Sequence, residues 1–119
     1  MDYDIKKKIV AKSKTIKEFE YSIQLENKVA AKAFVQESQY GFRLVDLHTP
    51  YLYRSKGIAT ILLNNILKDA DSKCYKVSGI PVPSDYKDKD KLINFYKKFG
   101  FEYYKDVNEI IRKPKCLSE

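Results

Sequence analysis

Directly after Gly57 the spacing of apolar residues changes, and that change limits the folds open to the chain. Ile58, Ile61, Leu62, Ile66 and Leu67 recur at intervals of three and four, with Leu63 and Ala70 widening the stripe. This is the pattern of an amphipathic helix that buries one broad face. No helical pattern of any length precedes it. Residues 5–12 and 16–25 are rich in β-branched and aromatic residues in broken two-residue alternation, which reads as strands. KVAAKAFVQE and FRLVDLH come next, separated by SQYG, whose small and polar residues suit a hairpin turn. The first half is therefore expected to be an antiparallel meander.

Beyond the helix, KCYKVSGIPV reads as a strand ended by Pro81 and Pro83, which cannot continue a central ladder. A second helix is expected over residues 88–99, with Leu92, Phe95, Tyr96 and Phe99 on one face. Asp85 or Asp88 is its candidate N-cap, and Gly100 is the left-handed residue that closes it. FEYY and EIIR then form short strands around a KDVN turn. The order is ββββ-α-β-α-ββ, an α+β fold with a mixed, mostly antiparallel sheet and two main helices. The 119 residues fit one domain over 1–119, which would bury roughly two thirds of its unfolded surface.

The formal charge of +7, with ten tyrosines and six phenylalanines, favours an anionic partner. Cys74 and Cys116 show neither metal-ligand spacing nor a disulfide framework, so both are expected to be reduced, with Cys74 a small core residue in a strand. Nothing approaches the ~20 apolar residues of a membrane span, and no leader-like apolar segment lies behind the N-terminal lysines. The expectation is a cytoplasmic protein with no membrane partner, monomeric or homodimeric.

Arg54, Lys56 and Gly57 stand at the mouth of the first helix. Free N–H groups at such a mouth attract an anion, and glycine lets one approach the backbone. A mononucleotide P-loop needs Lys after its second glycine with Ser or Thr behind it; here Lys56 precedes Gly57 and no earlier glycine lies in the loop. A dinucleotide fingerprint fails as well, since one glycine cannot supply three close approaches.

What remains, Arg54-x-x-Gly57-x-Ala59, resembles the acyl-CoA signature of the GNAT superfamily of N-acyltransferases. About forty residues later LINFYKKFGFE resembles the family's second motif, with Tyr96, Lys98, Gly100 and Phe101 in place. The match covers roughly residues 28–112, with the family's first strand and two leading helices shortened to a strand or two. The resemblance implies acetyl-CoA (coenzyme A) as cofactor and an amine as acceptor; nucleic acid is not the expected partner. N–H groups of Ser55, Lys56, Gly57, Ile58, Ala59 and Thr60 would cradle the pyrophosphate while Arg54 and Lys56 add charge. The strand Leu44, Val45, Asp46, Leu47, His48 would pair with the pantetheine amides, and the strand carrying Val77 to Ile80 would splay from it. A backbone N–H near Leu47 would face the oxyanion. Tyr96 and Lys98 complete the expected cofactor contacts.

Aminolysis requires removal of a proton from an amine that is mostly protonated at neutral pH. Asp46 and the single histidine, His48, occupy alternate positions on one strand and so share a side of the sheet. They are the local candidate bases, beside the readings of Asp46 as a solvated partner for a cation and of His48 as a packed imidazole. Tyr96 matches the family tyrosine that donates to the leaving sulfur; its plain alternative is a core aromatic. Two positions depart from the family: Arg43, where some members carry a glutamate base, and Lys89, where an asparagine is common. A catalytically degenerate CoA-binding protein and a basic RNA-binding module built on KFGFEYY are the rival readings. PVPSDYKDKDK, with Tyr86, is a candidate acceptor-side loop.

Overall fold

The computed structural model describes residues 3–48, 57–81 and 89–116. Strands β1 (Tyr3–Lys12), β2 (Lys17–Leu25), β3 (Lys28–Ser38) and β4 (Gly41–His48) are followed by helix α1 (Ile58–Ser72) and strand β5 (Val77–Gly79). Helix α2 (Lys89–Lys97) and strands β6 (Glu102–Tyr104) and β7 (Glu109–Arg112) complete the chain. The seven strands form one sheet in the order β1-β2-β3-β4-β5-β7-β6. Only β4 and β5 pair in parallel. The expected α+β architecture and element order are both present.

The stripe after Gly57 does what its period implies: Ile58, Leu62, Leu63, Ile66, Leu67 and Ala70 are all buried. They meet Phe19, Tyr21 and Ile23 of β2, Ala31, Ala33 and Val35 of β3, and Phe42 and Leu44 of β4 in one core. Tyr21 is 1% exposed, and its hydroxyl donates to Asp69 of α1 at 2.8 Å. Burial and the neighbouring carboxylate push the Tyr21 phenol far above its usual range.

The second helix uses its face with a shift from expectation: Ile93 and Tyr96 are buried, while Leu92, Phe95 and Phe99 pack partly against the core. Gly100 closes it at φ 95° as expected. The expected N-caps Asp85 and Asp88, and the loop with Tyr86, lie outside the described residues.

Arg112 places both helices on one face. Its Nη atoms donate to both Asp71 carboxylate oxygens of α1 at 2.9 and 3.0 Å, and its Nε donates to the Phe99 carbonyl after α2 at 2.8 Å. The pair holds the Asp71 carboxyl below the usual carboxylate range.

The strand expected over KCYKVSGIPV shrinks to Val77–Gly79, because α1 runs to Ser72 and closes with a turn of its own. Tyr75 N–H donates to Ala70 and Cys74 N–H to Asp71, with Cys74 left-handed at φ 55°. That is a Schellman ending with a cysteine where glycine is usual. Cys74 is thus a turn residue and not a core strand residue. It is not reduced either: Cys74 and Cys116 form a disulfide across 42 residues, Cα to Cα 5.2 Å. Spacing could not reveal the pair, since only the return of β7 beside α1 brings the two thiols together. Among the described residues no helix is long and apolar enough to cross a membrane.

KFGFEYY is not an RNP1 strand. Its first half is the turn after α2, and only Glu102–Tyr104 is extended, at the sheet edge.

Candidate active site

The site begins where the sheet divides. β4 pairs with β5 through Phe42 and Val77, Arg43 and Ser78, and Leu44 and Gly79, and there the pairing ends. Residues 45–48 of β4 continue without a β5 partner, so among the described residues no strand pairs with that edge. Gly79 permits the last contact, since a Cβ there would stand 2.9 Å from the Leu44 carbonyl oxygen.

The division coincides with a bulge. Phe34 of β3 faces Asp46 and Val35 faces Leu44, which leaves Val45 without a partner on β3. A bulge bends its strand and re-aims the side chains beyond it. Leu47 falls opposite buried Ala33 and so lies on the helix side, while Asp46 and His48, opposite Phe34 and Lys32, lie on the other side. The expected shared side of Asp46 and His48 is present, and both are exposed.

The cleft between the diverging strands is lined by Leu44, Val45, Asp46 and Leu47 of β4, Gly79 and Ile80, Leu92 and Tyr96 of α2, and Ile110 of β7. Tyr96 is 6% exposed. Its ring is fixed by edge-to-face contacts with Phe95 at 5.5 Å and Phe101 at 5.4 Å. Burial first, and the Asp46 carboxylate second, push its phenol up to about 12. The phenol is therefore neutral across the physiological range.

Above the cleft α1 begins at Gly57, which takes φ 74° and ψ 6°. L side chains avoid this conformation, and among the described residues a Cβ at Gly57 would meet nothing within 4 Å. No side chain caps the helix and no acidic residue sits in its first turn. The Gly57 carbonyl accepts the Ile61 N–H at 3.1 Å. The N–H groups of Ile58, Ala59 and Thr60 precede any i−4 partner in the helix and are the donors such a terminus offers. Ile58 itself is buried, so only its backbone is available. Uncapped donors and an unpaired strand edge suit an extended anion with amide groups along its arm.

The structure thus brings Leu44, Val45, Asp46, Leu47 and Tyr96 to one cleft and sets Gly57 to Thr60 at the head of α1. His48 ends β4 on the exposed side. Lys98 is not with them: it lies in a second groove beside Asn64, Lys68 and Asp71 of α1. Arg54, Ser55 and Lys56 lie outside the described residues. Lys89 opens α2 with its ammonium 5.7 Å from the Tyr103 ring centroid, and Arg43 is exposed opposite Gln36. Sequence reasoning named the strand Val77 to Ile80 as the splaying wall without singling out Gly79 or Ile80, and it missed Leu92 and Ile110 as lining residues. Gly79 alone carried a signal, an isolated glycine inside a strand pattern, which marks close backbone approach.

No protein-family model matches the chain, and no curated protein matches it in sequence. Solved structures do. The PaiA N-acetyltransferase from Thermoplasma acidophilum, in complex with coenzyme A, is 18% identical with a TM-score of 0.64, covering 83% of this chain and 61% of that one. The chain thus spans less than two thirds of that protein's length. The putative N-acetyl transferase YhhK from E. coli, bound to coenzyme A, is 12% identical with a TM-score of 0.72, over 95% of this chain and 99% of that one. The ribosomal-protein-S18-alanine N-acetyltransferase from Escherichia coli is 16% identical with a TM-score of 0.64, over 91% and 74%. Divided sheet, bulged β4 and glycine-headed α1 together make up a recognised architecture: the chain has the fold of the GNAT acetyltransferases.

Proposed function

We propose that residues 1–119 form a single acetyltransferase domain that moves an acetyl group from acetyl-CoA to a primary amine, a small amine or a protein lysine, by direct attack in a ternary complex. The observation that carries this reading is the division of β4 from β5 beside Tyr96. It offers one unpaired strand edge, one neutral buried phenol and one exposed carboxylate within a single cleft. The similar structures that hold coenzyme A support the choice of cofactor. Acetyl-CoA brings an activated thioester, so the chain has only to hold, align and move protons.

Beyond Leu44, β4 offers its free N–H and C=O groups to the amides of the cofactor arm, and the N–H groups from Gly57 to Thr60 take its pyrophosphate with Arg54 and Lys56. Asp46, which lines the cleft, receives the proton of the incoming ammonium directly or through water, with His48, exposed two residues on along the same side of β4, as the second candidate base. Tyr96 gives a hydrogen bond or proton to the departing sulfur, a role open to it because the phenol stays neutral. Neither cysteine is needed as a nucleophile, and each is bonded to the other. A cytoplasmic location belongs to this reading and stands against that bridge, since disulfides are rare in reducing compartments.

The test monitors thiol release from acetyl-CoA over a panel of amines, with cofactor binding measured separately by thermal shift. Tyr96→Phe lowers turnover while cofactor affinity stays nearly intact. Gly57→Glu abolishes cofactor binding, because the new side chain must adopt a disfavoured φ and brings negative charge to the anion cradle. Turnover unaffected by Tyr96→Phe removes Tyr96 from the chemistry. Cofactor binding with no turnover for any amine identifies a degenerate binder.

A further inference from the structure

The end of the sheet away from the cleft carries charge that the acetyltransferase reading does not use. Lys12 and Lys17 close the β1–β2 hairpin as a directly opposed pair. Like charges directly opposite across a ladder destabilise it. Lys17 is opposed on its other side by Glu37, but that carboxylate is engaged by Lys73 at 2.8 Å.

The hairpin loop is fixed, since the Ser13 hydroxyl accepts from the Ile16 N–H at 3.1 Å and the Thr15 N–H at 3.4 Å. It holds Lys14 at its tip. The neighbouring β3–β4 turn is fixed in the same way, Tyr40 N–H donating to Ser38 Oγ at 3.2 Å. Between the two turns lies a cavity lined by Lys12, Lys14, Lys17 and Lys73, with Glu37 the only acidic residue. A groove continuous with it at Lys14 is bordered by Tyr40, which is 75% exposed, and Ile16.

We propose that this cup binds a multiply charged phosphate. Three ammonium groups without a carboxylate partner among the described residues converge on a preformed cavity, and the opposed Lys12 and Lys17 are relieved by an anion between them. Ser13, Thr15 and Ser38 line the same cup. Tyr40 and Ile16 then flank whatever is esterified to the phosphate. The ligand can be a free polyphosphate or the phosphates of a single strand of nucleic acid, and the two differ in what reaches Tyr40. From Gly41, where β4 leaves the cup's turn, the cleft's lining runs from Leu44 to Leu47, three to six residues on, so at ~3.3 Å each the two stand about 10–20 Å apart along β4 and share no residue.

The full chain is titrated at low ionic strength with inorganic triphosphate and, separately, with a single-stranded oligouridine, monitored by amide NMR. The expected result is saturable binding with shifts concentrated at residues 12–17 and 38–40, weakening as salt rises. Affinity falls at least tenfold in Lys12→Gln/Lys14→Gln/Lys17→Gln. Oligouridine bound tenfold more tightly than triphosphate, with Tyr40→Ala removing the difference, assigns the site to a strand; equal affinities assign it to a small phosphate. Unchanged affinity in the triple variant, or shifts confined to residues 57–60, overturns the proposal. Lys14→Gln, at the loop tip, serves if the triple variant fails to fold, with an expected loss of about threefold. Without ligand, Lys12→Gln raises the melting temperature by about 1–3 °C, since a repulsive cross-strand pair is removed.

Discussion

The two halves of the sheet are built on different principles. β1 to β4 are 10, 9, 11 and 8 residues long and join in sequence through long antiparallel ladders, each interrupted by one register shift. β5, β6 and β7 have only 3, 3 and 4 residues. Short strands carry few ladder bonds, and the second half relies on cross-links instead. Arg112, 4% exposed, ties α1 to the end of α2; Asp71 also accepts the Lys115 N–H at 2.9 Å, and the disulfide fastens residue 116 to the turn after α1. The cleft lies on the seam between the two constructions. The β3 ladder carries β4 on to His48 through the bulge at Val45 while the short β5 stops at Gly79, and the opening lies where β4 outruns its neighbour.

The contrast breaks most sharply at Arg112. Arg112→Ala leaves a partly buried carboxylate with only the Lys115 N–H and takes the Nε donor from the Phe99 carbonyl, a loss of ~3–5 kcal/mol. Urea unfolding checks the magnitude. Amide exchange checks the location: protection should fall in β5, β6 and β7 and persist in β2 and β3.

Next in size is the disulfide. Its reduction, or Cys116→Ser, removes about 2–4 kcal/mol by restoring freedom to the unfolded chain. The measurement is the denaturation midpoint with and without dithiothreitol, and an equal midpoint would leave the Arg112 clip as the whole anchor.

Acid sharpens the same comparison at smaller scale. The Asp71 carboxyl is depressed by Arg112 in the folded state, so its contribution is present above the unfolded value near ~3.9 and is lost as pH falls through the lower folded value. Stability measured from pH 5 downward should fall less steeply in Arg112→Ala than in the parent. The smallest effect is expected on the outer strand: Ile9→Thr on β1, where Ile9 is 55% exposed, changes stability by less than about 0.5 kcal/mol.

Much of the first half was legible because local pattern and tertiary outcome coincide there. The meander and the α1 stripe obey period two and period 3.6, and beyond them Gly100 takes the left-handed conformation expected of it. The second half was less legible. KCYKVSGIPV has strand composition throughout, yet α1 and its closing turn claim its first residues, and only three pair with β4. In the site, Tyr96, Asp46 and the β4 run could be named from motif and alternation. Their convergence could not, because it depends on a bulge at Val45 and on where β5 ends.

By itself the amino-acid order determined the kinds of element and their succession, since periodicity, glycine and capping act over a few neighbouring residues. Only the tertiary structure decided which residues meet. The Cys74–Cys116 bridge, the Arg112–Asp71 clip and the cleft beside Tyr96 each join positions more than forty residues apart. Such contacts form only once the entropy cost of closing those loops is offset, and no local pattern records which closures the packed sheet favours.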